Sequence, residues 1–387
     1  MLNQLIDNLF IKISSLHNHD NELQSQVINL LIKFNTMTLF EKINNKSYTF
    51  YITKINDDDY VKLFLSYCVL YSLDKTINNP VVGIDFEFTN NYIQLIQICF
   101  FPKSDQRFVF VVNPLIMHNI HKDIMIKSLF ISSIKKIVHG ADSLDIPYIF
   151  NDLFIENTDY LLKFTMSSID TRFLCEYHKI SSKYIDNKCS LYNALVFYNV
   201  ITKNKMNQLE QLTSDIPIYK MSWRLDKISS NSLKYAVYDV VYLEAFYQNI
   251  YASSDGDKLE LVNQINNFII YNKYDISQLT NITYDFIHSK RNYKIKNGDQ
   301  IVPILTIYVS VIDALNLSID IKHLLQINNF KKTLSIIFKG IVYSLFTEQV
   351  PKFYLTIFHE LQVLGLHRFL KYSKEFSESI IKNILIE

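Results

Sequence analysis

The sequence predicts a mixed α/β domain flanked by helical regions, and three observations carry that prediction. Short apolar or alternating runs at 81–88, 92–101, 108–112 and 136–138 are separated by turn residues, as half-buried and buried strands are. Apolar residues at helical spacing precede them, as in Leu23, Val27, Leu30, Leu31 and Phe34, and return after Gly256. Helical patterns near 122–134, 145–153, 170–178, 191–198 and 231–251 interleave with and follow the strands. Three consecutive strands on short connections predict an antiparallel meander, and the helix and strand that follow predict a parallel addition. The chain therefore divides into an N-terminal helical extension at 1–79, a central α/β domain at 80–252 and a C-terminal helical domain at 253–387.

In the N-terminal region, Asp57-Asp58-Asp59 precedes the apolar run that starts at Val61 and fits a helix start, where carboxylates cap free N–H groups. In the C-terminal region the clearest helical segments are 301–315, 319–327, 334–346 and 350–364. The cluster Lys290, Arg291, Tyr293, Lys294 and Lys296 reads as a solvated loop or, with its aromatic among cations, as a strand-binding loop.

Composition bounds the function. The chain has 387 residues, 49% of them hydrophobic, enough for a full core. A net charge of +1 removes any bulk electrostatic argument for nucleic-acid binding, so a basic track would have to be local. The cysteines Cys68, Cys99, Cys175 and Cys189 form no Cys-x-x-Cys pair and read as reduced residues of an intracellular protein, cytoplasmic or nuclear. A signal peptide and membrane spans are disfavoured: the start lacks a basic region before an apolar stretch, and no run of about eighteen apolar residues occurs. The bias to Ile, Asn, Lys and Tyr suits an AT-rich genome, such as that of a protist or a large DNA virus.

The chemistry concentrates in a few acids. In the run Val81-Val-Gly-Ile-Asp85-Phe-Glu87-Phe-Thr89, strand alternation sends Asp85 and Glu87 to one side and Ile84, Phe86 and Phe88 to the other. Two carboxylates so close repel unless a cation sits between them. Downstream, Tyr235 and Asp239 are four apart on a predicted helix, which places a phenol beside a third carboxylate. Between them, His139-Gly-Ala-Asp142-Ser-Leu-Asp145 reads as a strand end, a turn and a helix start that can supply a fourth acid, either Asp145 or Asp142.

In this order the set resembles the DEDD superfamily of 3′-5′ exonucleases, in its tyrosine-bearing subgroup with ribonuclease D and the exosome-associated exoribonuclease. The resemblance covers roughly residues 80–251. Tyr92-Ile-Gln-Leu95-Ile-Gln97 looks like the family's second strand, Asp170-Thr171 like the helix start after its second motif, and Trp223-Arg224 like its Trp-x-x-Arg-Pro-Leu segment. Two features depart from the pattern: Asp226-Lys227 stands where the family has Arg-Pro, and one extra residue separates His139 from the acid. Asp145 keeps the family's distance to Asp152-Leu-Phe, which favours it over Asp142.

The resemblance implies a ribonuclease-H-like mixed sheet and a two-metal hydrolysis with Mg²⁺ or Mn²⁺, two ions about 4 Å apart stabilising the attacking and leaving oxygens. Asp85 would bridge both ions, Glu87 and Asp239 would complete one site, and Asp145 would hold the second ion largely through water. Tyr235 would orient the attacking water at the 3′ end of single-stranded RNA or DNA, releasing nucleoside 5′-monophosphates, with RNA favoured by the nearest relatives of the pattern.

Each residue also has a plainer role: Asp145 as a helix cap, Tyr235 as an ordinary buried aromatic, His139 as a strand end. The other histidines lack zinc spacing, and neither Gly-x-Ser-x-Gly nor Gly-x-x-x-x-Gly-Lys occurs. The alternative function is a catalytically silent nucleic-acid-binding or scaffold protein of the same fold, its helical flanks engaging a protein partner.

Overall fold

The structure, a computed structural model, describes residues 2–254 except 90, 91, 142–144, 183, 185–188 and 213–220, and beyond them residues 256, 259, 260, 263, 267, 294–297 and 300–303. In chain order the elements are α1 (Leu2–Ser14), α2 (Asn21–Lys33), β1 (Met37–Ile43), β2 (Lys46–Ile55), α3 (Asp58–Leu73), β3 (Val81–Thr89), β4 (Tyr92–Phe100) and β5 (Gln106–Val112). There follow α4 (Asn119–Met125), β6 (Lys135–Val138), α5 (Asp145–Tyr148), α6 (Thr158–Met166), β7 (Ser168–Asp170), α7 (Thr171–Ser181), α8 (Leu191–Phe197) and α9 (Lys203–Gln211). Last come α10 (Ser230–Val241), α11 (Leu243–Ala252), β8 (Lys294–Asn297) and β9 (Gln300–Pro303). Met1–Arg172 and Cys189–Gly256 form one compact unit, and Phe173–Lys188 with Asp257–Glu387 form another.

The first unit is built on a seven-stranded mixed sheet of order β1-β2-β5-β4-β3-β6-β7. Strands β3, β4 and β5 make the expected antiparallel meander, and β6 and β7 add in parallel beside β3. Taken from the meander, this is the ribonuclease-H-like strand order, with helices on both faces.

Alternation divides the sheet into two faces. Val82, Ile84 and Phe86 share one face with Ile96, Ile98 and Phe100 and with Phe108 and Phe110. Against it lies α3, whose start is capped by Asp57 accepting from the Tyr60 N–H at 3.1 Å, as the acidic triplet predicts. Tyr67 meets the rings of Phe100 and Phe108 at 5.0 and 5.1 Å, and Phe64 meets Phe110 at 5.0 Å. Edge and tilted contacts of this kind fill the core with apolar area. The opposite face carries Gly83, Asp85 and Glu87, with Cys99, Gln97 and Leu95 across from them on β4.

The region expected to be purely helical holds a hairpin as well. β1 and β2 pair antiparallel, and β2 continues the sheet in parallel beside β5. Asn44 and Asn45 form its two-residue loop with φ of 49° and 66°, the left-handed geometry that asparagine tolerates. Tyr48, Phe50 and Ile52 alternate with polar residues behind them, a strand period that the flanking helices obscured. Of the C-terminal region, β8 and β9 are an antiparallel pair, so residues 301–303 are strand and not the expected helix. Residues 304–387, and Lys290, Arg291 and Tyr293 of the basic cluster, lie outside the described residues. Cys68 and Cys99 are free, buried thiols as expected, whereas Cys175 and Cys189 are disulfide-bonded, which corrects the reading of four reduced cysteines.

The hairpin has a structural purpose at α10. Glu41 of β1 accepts from Tyr238 at 2.8 Å and Tyr242 at 2.9 Å, and pairs with Lys205 of α9 at 2.7 Å. Only 10% of the Glu41 side chain is exposed, so removing its carboxylate would leave two buried phenols without their acceptor and Lys205 without its counter-charge. Glu41→Ala should lower stability by about 2–3 kcal/mol in denaturant titration, and a loss below about 0.5 kcal/mol would show that the network holds nothing.

Candidate metal centre

Asp85 and Glu87 lie on the sheet face that α10 covers, and α10 delivers Asp239 to them. Close approach makes this meeting feasible. A Cβ added at Gly83 would lie 2.9 Å from the Val240 carbonyl oxygen, closer than real Cβ contacts come, so glycine lets the helix backbone settle on the strand. One carboxylate oxygen from each of Asp85, Glu87 and Asp239 then lies within 4.8 Å of the others. Among the described residues no other three His, Cys, Asp or Glu side chains gather in this way. The register of β3 on β4 shifts between Glu87 and Phe88, a bulge of the kind that re-aims side chains beside active sites.

Asp145 is the first described residue of α5, in the predicted helix, and is 9% exposed. It is not one of the three clustered acids, but its charge is close enough to help push the Glu87 carboxyl up. Tyr148 of the same helix packs on Phe88 with ring centroids 4.6 Å apart, which ties α5 to the end of β3. Asp142 lies outside the described residues.

The turn before α5 is organised by Asp170, which accepts from the backbone N–H groups of Gly140 at 2.9 Å, Ala141 at 3.2 Å and Arg172 at 3.0 Å. Gly140 has φ of 77°, a conformation that suits glycine. His139 lies within 3.0 Å of both the Thr171 hydroxyl and the Cys189 carbonyl, so it braces the strand end.

The electrostatics explain what the acids lack. Burial pushes the Asp85 carboxyl up to about 7. Burial first, then the charges of Asp85, Asp239 and Asp145, push Glu87 well above the usual carboxylate range. Burial and the charge of Asp85 raise Asp239 likewise. Among the described residues no Lys or Arg forms an ion pair with these three. Gln97, directly across from Asp85, is fully buried, with neither end of its amide hydrogen-bonded. Three converging hard oxygen donors without a counter-charge, beside an orphaned amide, fit a divalent cation such as Mg²⁺ or Mn²⁺.

Two phenols complete the site. Tyr235 stands one turn before Asp239 on α10, close enough for the Asp239 charge to act on its phenol, and its ring lies 6.2 Å from that of the buried Trp223. Tyr192 of α8 donates to Asp239 Oδ1 at 2.8 Å. Burial and the Asp239 charge raise both phenols far above their ordinary value, so both stay protonated donors. Sequence reasoning missed Tyr192, one tyrosine among 26 with no spacing relation to the acids. Where the family pattern has Arg-Pro, Asp226 instead pairs with Arg224 at 2.9 Å on the surface.

No family model matches the chain. It is 32% identical over 328 residues to an uncharacterised protein of Acanthamoeba polyphaga mimivirus, across 78% of this chain and 64% of that protein, so it spans less than two thirds of that relative's length. Among solved structures it is similar to the catalytic core of RRP6 from Trypanosoma brucei, at 13% identity and a TM-score of 0.41, covering 92% of this chain and 86% of that one. It is also similar to Escherichia coli RNase D, an exoribonuclease involved in structured RNA processing, at 13% identity and a TM-score of 0.38, covering 83% and 99%.

The raised Asp85 carboxyl sets a pH test on metal-free protein. Its folded value of about 7 exceeds the ordinary 3.8, so its contribution to stability is complete below about pH 4 and lost as pH rises through about 7. Asp85→Asn has no proton to lose. With chelator present the variant should match wild type near pH 4 and exceed it by about 2–4 kcal/mol near pH 8. An equal difference at both pH values would contradict a buried, uncompensated carboxylate.

Proposed function

We propose that the protein is a metal-dependent 3′-5′ exonuclease that hydrolyses single-stranded nucleic acid, RNA in preference to DNA, to nucleoside 5′-monophosphates. The observation that carries this reading is the meeting of Asp85, Glu87 and Asp239 within 4.8 Å, with Tyr235 on Asp239 and Asp145 near Glu87. In this reading Asp85, Glu87 and Asp239 would hold one divalent cation, and Asp145 would serve a second largely through water. When bound, such cations supply positive charge to the oxygens of the phosphodiester undergoing displacement.

The chain's own residues do the rest. Tyr235 keeps its proton and donates, so its suited task is to orient a water through a hydrogen bond. The water oxygen forms a bond to the terminal phosphorus, and the bond from phosphorus to the 3′ oxygen of the penultimate nucleotide breaks. That oxygen takes up a proton, and a nucleoside 5′-monophosphate leaves. Trp223 lies beside the Tyr235 ring, 6.2 Å between centroids.

RNA is favoured on the resemblance of the ordered motifs to ribonuclease D. A nucleic-acid substrate and a mimivirus relative suit work inside an infected cell. No helix among the described residues is long and apolar enough to cross a membrane.

The test is degradation of matched 5′-labelled single-stranded RNA and DNA with Mg²⁺ or Mn²⁺. Wild type should shorten RNA stepwise from the 3′ end, Asp85→Ala should be inert, and Tyr235→Phe should lose about 10²-fold or more in rate. Folded wild-type protein that leaves both polymers intact would overturn the reading in favour of a silent nucleic-acid-binding protein.

A further inference from the structure

Two phenols flank Asp239, Tyr235 and Tyr192, and the hydrolysis proposed above uses the first. Tyr235 stands a turn away on α10 and moves with Asp239. Tyr192 comes from α8, and its 2.8 Å bond to Oδ1 ties Asp239 to a separate element. That element is anchored to the sheet. The Cys189 carbonyl, just before α8, lies 3.0 Å from His139 Nε2, and the other ring nitrogen of His139 lies 3.0 Å from the Thr171 hydroxyl, which itself donates to the Val138 carbonyl at 2.8 Å. Ala194 and Leu195 bury the inner side of the helix. Tyr192 is therefore held in the frame of β6, the strand that pairs with β3 and its two acids.

A carboxylate offers about four lone-pair positions, so the Tyr192 phenol leaves room on Asp239 for a cation. The donors differ in what they can do. Tyr235 cannot fix the direction of Asp239 relative to β3, because both ride on α10. Tyr192 can, and it can remain on Asp239 when Tyr235 turns to a water. We propose that Tyr192 is a positioning residue that sets the Asp239 carboxylate for the divalent cation and so frees the Tyr235 phenol for the attacking water. The inference rests on the metal-centre reading. Partners that orient a ligating side chain from outside the coordination sphere typically change metal affinity by about 10–100-fold.

The experiment is calorimetric titration of Mn²⁺ into wild type, Tyr192→Phe and Tyr235→Phe without nucleic acid, followed by RNA degradation across Mn²⁺ concentrations. Tyr192→Phe should bind Mn²⁺ about 10-fold more weakly and recover most of the wild-type rate at saturating Mn²⁺. Tyr235→Phe should bind within about 3-fold of wild type and stay slow at every concentration. The metal-free unfolding midpoint serves as the fold check, since Tyr192→Phe removes a single oxygen and keeps the ring. Wild-type affinity in a folded Tyr192→Phe would overturn the inference and leave the metal centre standing. Failure of wild type to bind Mn²⁺ would overturn both.

Discussion

The approach of α10 to β3 at Gly83 is the contact on which the rest of the site depends. With no side chain at that position, the Val240 carbonyl reaches within 2.9 Å of where a Cβ would be, and Asp239, its neighbour in sequence, comes level with Asp85 and Glu87. Several interactions hold the helix there. Glu41 binds Tyr238 and Tyr242 of α10 and the loop after it from the sheet edge, and Arg107 of β5 pairs with Glu244 of α11 at 3.1 Å. Phe246 of α11 packs on His139 at the end of β6 with ring centroids 5.8 Å apart. The hairpin β1-β2 thus serves the site indirectly, by supplying Glu41.

The arrangement is electrostatically unfavourable as it stands. Three carboxylates share a desolvated space without a basic partner among the described residues, and a protein interior does not normally accept that. Tyr192 donates to Asp239, and Tyr235 stands beside it, but neither phenol carries a charge. Local conflict of this kind is characteristic of functional sites, where the missing term comes from a bound species. A divalent cation supplies it with the least rearrangement, because the donors already converge.

Much of this was legible in the sequence because it rests on short-range periodicity. The period of two that puts Asp85 and Glu87 together and the period near four that joins Tyr235 to Asp239 are backbone properties. The Asp57 cap, the β3-β4-β5 meander and the helix that carries Asp145 follow local signals of the same kind. The hairpin was missed although Asn44-Asn45 marked it, since flanking helical runs dominated the window. Tyr192 and the unpaired Gln97 amide were illegible for a different reason. Their significance arises from tertiary neighbours, Asp239 and Asp85, that lie 47 and 12 residues away in the chain and are found only once the sheet and α10 are assembled.

Anomalous diffraction from crystals grown with Mn²⁺ addresses the metal centre most directly, because it locates the ion without reference to activity. A strong anomalous peak bounded by Asp85, Glu87 and Asp239, with carboxylate oxygens about 2.2 Å from it, is the expected result. Well-ordered carboxylates at these positions, with no anomalous signal between them at millimolar Mn²⁺, would contradict the assignment.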